Sequence, residues 1–255
     1  MLCVMTRAVL AGLVVLLAAC QAGAGDDYPP RPGGGGPVII GGGGGGGATG
    51  DAGVSDGGAG DAGVPVSGRV CVLSDMRQLT KCKDTGAGGL KVSLGTGIGT
   101  TNPDGTFSFV APLGSHIWHV TGPLITTSVM PLEIDKTIPV MSAEDYVGLL
   151  ESNRGLMQDE QHGSVVVRVV NGTSPVAGVT ATLSPIADSE TLYDADNNPT
   201  VWNTTSTGSG GVVWVPSVPL SSSVTITSRT TGGQTGSTSA PVERQSITFV
   251  TQSVP

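Results

Sequence analysis

The chain is 255 residues long, with 12 basic and 20 acidic side chains, a formal net charge of −8, and 41 glycines against three Trp, three Tyr and three Phe. Affinity for nucleic-acid phosphate comes from clustered Lys and Arg, so this balance excludes nucleic acid as the expected partner and reads as solubility. The glycine excess sits before residue 65; the remainder, about 190 residues, suits two small domains better than one.

Residues 1–19 carry a lone positive charge, Arg7, then an apolar run from Ala8 to Ala19 with a small-residue exit, the order of a secretory signal peptide. At about a dozen residues the run is too short to span roughly 30 Å of hydrocarbon. Its last residues with the next, Leu17-Ala18-Ala19-Cys20, resemble the lipobox of bacterial lipoproteins. The resemblance implies cleavage before Cys20, a diacylglyceryl thioether on Cys20 and a third acyl chain on the new amino terminus, which makes the membrane a partner through those chains. Gln21 stands where related lipoproteins retained at the inner membrane carry Asp. The resemblance thus implies a lipid-anchored place in the cell envelope, at the outer membrane where the cell has two. Loss of Arg7 leaves eleven basic and twenty acidic side chains.

Residues 20–65 read as a disordered tether. The runs Gly33–Gly36 and Gly41–Gly47 bring no apolar surface to offset backbone entropy, and Gly50-Asp-Ala-Gly-Val54 recurs as Gly60-Asp-Ala-Gly-Val64. A flexible coil of about 45 residues has an end-to-end distance of roughly 35–40 Å. From Val66 the composition changes to short alternating segments: Arg69-Val-Cys-Val72, Leu90-Lys-Val-Ser-Leu94, Phe107-Ser-Phe109 and Ile117-Trp-His-Val120 each fit a half-buried strand. Asn102-Pro-Asp-Gly105 is a turn signal, since Pro fixes φ and Gly accepts a positive φ. Cys71 and Cys82 are the cysteines left after lipidation of Cys20. In an exported chain they read as a disulfide, worth roughly 3 kcal/mol by loop-closure entropy; two free thiols are the alternative in a reducing export route. With no second Cys pair or nearby His, they make no metal site.

Ser142-Ala-Glu-Asp145, followed by Tyr146, Leu149 and Leu150 at helical spacing and by Gly155, predicts a short helix within a 142–163 linker; an unstructured linker is the alternative. The earlier order then returns. Val165 to Val170 reads as a strand, Ser174-Pro-Val-Ala-Gly178 as a turn, and Val179-Thr-Ala-Thr-Leu183, Val212-Val-Trp-Val215, Val224-Thr-Ile226 and Ile247-Thr-Phe-Val250 as further strands.

The sequence from Gly89-Leu-Lys-Val-Ser-Leu94 through Thr101, Asp104-Gly105, Phe107, Phe109 and Pro112 resembles the carboxypeptidase regulatory-like family, as does Pro175, Ala177-Gly-Val179, Leu183, Thr207, Gly210-Gly211, Val213, Val215 and Pro219. In the second run Gly210 stands where the first has the turn Asp104. The resemblance implies transthyretin-like seven-stranded sandwiches at 66–141 and 164–255, each burying a separate core. The fold class expected is therefore all-β: two tandem immunoglobulin-like (prealbumin-like) sandwiches joined by a short helix, after the tether. No peptidase is implied, because in that family the peptidase is a separate domain.

The chain offers little chemistry. His116 and His119 form His-x-x-His, but residues three apart on a strand face opposite sides, and His162 is distant in sequence. Gly53-Val-Ser-Asp-Gly57 matches a hydrolase nucleophile elbow, yet lies in the glycine tether without the strand and helix that motif needs. Asp194-Ala-Asp-Asn-Asn198 resembles the start of a calcium loop but meets Pro199 and Thr205 where Gly and an acid belong. Asp188, Glu190, Asp194 and Asp196 read as a solvated loop, and Lys91 as a weak candidate for a Lys–Asn cross-link. No catalytic residue, metal ligand or cofactor is assigned. The expectation is a non-enzymatic, lipid-anchored envelope protein making structural or adhesive contacts with a glycan, peptide or envelope protein. The alternative is an accessory glycan- or peptide-binding module serving a separate secreted hydrolase, with Trp118, Trp202 and Trp214 the tryptophans available for sugar stacking.

Overall fold

The structure is a computed structural model and describes residues 63–255 apart from 133–136, 154–155, 157 and 196–200. The expected signal peptide, Cys20 and nearly all of the glycine-rich segment lie outside the described residues. The first half contains β1 (Val64–Val72), β2 (Lys91–Leu94), β3 (Gly97–Thr100), β4 (Thr106–Ala111), β5 (Ile117–Thr121), β6 (Ile125–Pro131) and β7 (Thr137–Ser142), followed by α1 (Ala143–Ser152). The second half contains β8 (His162–Asn171), β9 (Ser174–Pro175), β10 (Thr180–Ser184), β11 (Leu192–Asp194), β12 (Trp202–Asn203), β13 (Val212–Pro219), β14 (Ser221–Arg229), β15 (Thr235–Val242) and β16 (Ser246–Ser253). Among the described residues the protein is all-β with one short helix.

Local chemistry explains several of these elements. In β2 and β5, Val92, Leu94, Trp118 and Val120 are buried while Lys91 and Thr121 are exposed, the period-two alternation of strands covered on one face. The β3–β4 turn closes with the Gly105 N–H donating to the Asn102 carbonyl (2.9 Å) and Gly105 at φ +83°. There Asp104 accepts from the Thr106 N–H (3.0 Å) and hydroxyl (2.7 Å), bonds that lower its pKa below the usual carboxylate value. Helix α1 begins where the capping residues place it: the Ser142 hydroxyl accepts from the Asp145 N–H (3.1 Å), and Tyr146 and Leu150 are buried. Lys83 reaches Asp145 and, with Ser142, holds that carboxyl below its ordinary pKa. Gly155, the expected stop, lies outside the described residues; the last turn closes on Asn153, whose N–H donates to the Leu149 carbonyl.

The two halves repeat one hydrogen-bond constellation. In the first, the Leu90 N–H donates to the Thr101 hydroxyl (2.8 Å), which donates to the Ala87 carbonyl (2.5 Å). In the second, the Val179 N–H donates to the Thr207 hydroxyl (2.9 Å), which donates to the Val176 carbonyl (2.8 Å). Val70 N–H donates to Gly105 O and Val169 N–H to Gly211 O, both at 2.8 Å. Gly105 and Gly211 have positive φ, as have Gly89 and Gly178. Strand pairing repeats too: β1 lies between antiparallel β4 and parallel β7, and β8 between antiparallel β13 and parallel β16.

Contrary to the expectation from sequence, the halves do not bury separate cores. Strand β16 pairs in parallel with β8 on one side and with β6 of the first half on the other, giving the continuous order β12-β11-β13-β8-β16-β6-β5-β2-β3. Val166, Trp214, Ile247 and Phe249, on one face of β8, β13 and β16, join the core that holds Val70, Val92, Trp118 and Ile138 of the first half. The opposite face, with Val165, Val167, Val213 and Val215, packs in a second core with β10, β14 and β15. The physical reason is two-sided apolar patterning: strands apolar on both faces need cover on both, and a lone sandwich covers only one. Residues Asp56–Pro255 accordingly form one compact unit.

Candidate ligand-binding cleft between the two halves

Polar contacts also cross the join. Arg77, on the segment after β1, is buried against Asp75 through two bonds (Nε to Oδ1 3.0 Å, Nη2 to Oδ2 2.8 Å), and its Nη1 donates to the carbonyls of Ala195 and Val201 at 3.4 Å. The Tyr146 hydroxyl on α1 bonds the Ser164 hydroxyl on β8, and burial pushes the Tyr146 pKa up to about 12. His119 Nε2 on β5 lies 2.7 Å from Glu243 Oε1, just after β15.

Beside these contacts a cleft of about 200 Å³ opens between the halves. Two arginines line it, Arg69 on β1 and Arg168 on β8. They occupy equivalent places in the repeat. Arg69 stands opposite Thr106 and Thr137 in the flanking strands, and Arg168 opposite Val212 and Thr251. Thr137 and Thr251 line the cleft as well, as do the buried Phe249 and Met130. Each half thus brings the same Arg–Thr register pair to one opening. Among the described residues neither arginine has a carboxylate ion-pair partner; Arg69 Nε donates to the Asp104 carbonyl at 3.2 Å. A second recess, about 180 Å³, shares Leu79, Thr80 and Arg168 with the first.

The residues singled out in the sequence fall in different places. Cys71 and Cys82 form a disulfide (S–S 2.11 Å, Cα–Cα 5.0 Å), and Cys82 lines the cleft. Cys20 and the Gly53–Gly57 motif lie outside the described residues. His116 is exposed, His119 faces Glu243, and His162 sits between Asp159 and Asp188 (2.7 Å each). The Asp159 bond, then the Asp188 bond, raises the His162 pKa, so the protonated ring is favoured there. Among the described residues, no three His, Cys, Asp or Glu side chains gather as a metal site. Lys91 is exposed at the start of β2, opposite Thr100 and Thr121.

Asp194 corrects the reading of a solvated acidic loop. It is buried, and its carboxylate accepts three backbone N–H bonds, from Gly208 (3.1 Å), Gly210 (2.8 Å) and Val212 (2.8 Å). It thus fills, from 16 residues upstream, the turn position where the second half has Gly210 and the first has Asp104. The candidate calcium loop therefore has its first carboxylate committed to backbone, and 196–198 lie outside the described residues. Trp118, Trp202 and Trp214 are 2%, 8% and 0% exposed, so none of them offers a stacking surface.

Sequence reasoning missed Arg69 and Arg168. A signal was present, since Arg-Val-Cys-Val72 and Arg168-Val-Val170 place Arg before the same core valine in both halves. Comparison with protein-family models and with curated protein sequences finds no match.

Proposed function

We propose that the chain is a non-enzymatic, lipid-anchored protein of the cell envelope, presenting one β-body for structural or adhesive contact. The observation that carries this reading is the order of the sequence: a lipobox-like Leu17–Cys20, a long glycine-rich stretch, and then the all-β body. The Cys71–Cys82 disulfide supports an exported chain. The repeated constellation around Leu90/Thr101/Gly105 and Val179/Thr207/Gly211 supports reading the halves as two copies of the carboxypeptidase regulatory-like sandwich.

Three acyl chains, each buried methylene contributing about 0.8 kcal/mol, hold a protein on a bilayer far more firmly than one chain. The full-length protein is therefore expected in the detergent phase and in membranes, with Cys20→Ser uncleaved or released. Unchanged partitioning of a Cys20→Ser variant that has lost residues 1–19 would overturn the lipid anchor. One observation, the arginine-lined cleft, favours the second reading, an accessory module that binds a ligand for a separate secreted hydrolase.

A further inference from the structure

We propose that the cleft between Arg69 and Arg168 binds a carboxylate, and that its occupant is the carboxyl terminus of a peptide with small apolar side chains. This deepens the ligand-binding reading above and rests on the cleft, not on the anchor.

Three observations converge. The first is positive charge outside any ion pair. The chain is acidic overall, yet neither arginine of the cleft has a carboxylate ion-pair partner among the described residues, Arg69 having its Nε bond to the Asp104 carbonyl and a weak attraction to that residue's carboxyl. Arg77, which lines the adjoining recess, is by contrast consumed by Asp75. A guanidinium presents a planar fork of donors that matches a carboxylate bidentately, and Arg168 is half-buried, where such a pairing is less screened by solvent.

The second is repetition. Arg69 beside Thr137 and Arg168 beside Thr251 hold the same register in the two halves, and the join of β16 to β6 brings both pairs to one opening. A carboxylate has two oxygens, and the two arginines supply a donor set for each.

The third is the surface beside the charges. Phe249 and Met130 form an apolar floor, and Pro139 continues it. At about 200 Å³ the cleft is smaller than the roughly 300–1,000 Å³ of drug-sized sites, so it takes a terminal group rather than a whole extended ligand. An aliphatic side chain next to the carboxylate rests on that floor. The adjoining recess, which shares Leu79, Thr80 and Arg168, accommodates the preceding residue. A sugar acid would also bring a carboxylate, but it would set its ring hydroxyls against the apolar floor of Met130, Pro139 and Phe249, where they lose hydrogen bonds to water.

The test is titration of the full-length, detergent-solubilised protein with N-acetyl-alanyl-alanine, its C-terminal amide and galacturonate, followed by calorimetry or by NMR. The free acid is expected to bind, more weakly as salt rises, and the amide about tenfold or more less tightly, the loss of a charge-assisted pair. Arg168→Gln and Arg69→Gln are each expected to weaken the acid by a similar factor, while Arg229→Gln, on β14 outside the cleft, leaves it unchanged. Far-UV circular dichroism establishes that each variant is folded, and Arg69 is exposed, so its replacement keeps the test open should Arg168→Gln unfold. Acid and amide binding alike, no binding of the acid, or galacturonate binding more tightly than the peptide each overturns the proposal. None of these outcomes bears on whether Cys20 carries lipid.

Discussion

Ser67 and Ser108 face each other across β1 and β4; at the equivalent place in the second half Val166 faces Trp214 across β8 and β13. The serines are exposed, whereas Val166 and Trp214 are fully buried. One backbone plan therefore carries two surface chemistries. In the first half this face meets water at that point, so a hydroxyl costs nothing. In the second half the same face joins the larger core, where an unpartnered hydroxyl would lose its hydrogen bonds and an apolar group gains by leaving water. The lesson is that the two halves share a strand plan, while the patterning of one face decides how they associate.

Three experiments break or sharpen this comparison. The largest effect is expected at Trp214, whose ring lies 5.1 Å from that of Trp202. Trp214→Ala should destabilise the protein by about 4 kcal/mol, and Ser108→Ala by no more than about 0.5 kcal/mol. Because β16 hydrogen-bonds both halves, urea unfolding monitored by fluorescence and by circular dichroism should give one coincident transition. Two separated transitions would show that the halves are independent after all.

A smaller effect separates the two glycine turns. Asp194 satisfies three N–H groups, two of them in buried bonds, from a distant strand, whereas exposed Asp104 caps its own turn locally. Asp194→Ala should cost about 3 kcal/mol, since it strands donors away from water. Asp104→Ala should cost far less, because water replaces its carboxylate. Equal midpoints in chemical denaturation for the two variants would contradict the assignment of Asp194 as the substitute for the missing turn acid.

The third concerns Tyr146, which ties α1 to Ser164 at the start of β8. A tyrosine in the unfolded chain ionises near 10, while burial holds the folded one to about 12. Between those pH values the unfolded state releases its proton first, so stability falls with rising pH, by about 3 kcal/mol across the window, and is unaffected by this group below pH 10. Tyr146→Phe should remove that alkaline component. A wild-type and a Phe variant with parallel stability profiles from pH 9 to roughly 12 would mean that the hydroxyl is not buried at this contact.

Features set by neighbouring residues were legible in the sequence. Ser142 with Asp145 marks the helix start, Asn102-Pro-Asp-Gly105 marks its turn, and Cys71 and Cys82 find each other across a sequence separation of 11. The common plan was legible as well, because Thr101 and Thr207, which serve equivalent backbone bonds, each stand four residues before the turn glycine, Gly105 or Gly211. The run of consecutive valines at Val165–Val167 marks a strand covered on both faces, since Val166 packs in one core and Val165 and Val167 in the other.

The sequence by itself determined the all-β class, the turns, the helix cap and the cysteine pair, because each depends on φ preferences, side-chain alternation and bonds over short separations. Only the tertiary structure decided that β16 lies between β8 and β6, that Asp194 completes a turn 16 residues downstream, and that Arg69 and Arg168, 99 residues apart in the chain, share one cleft. Strand pairing between distant segments is chosen by the total apolar area it removes from water and by which donors are left unpaired, quantities that belong to the assembled sheet and not to any one segment of it.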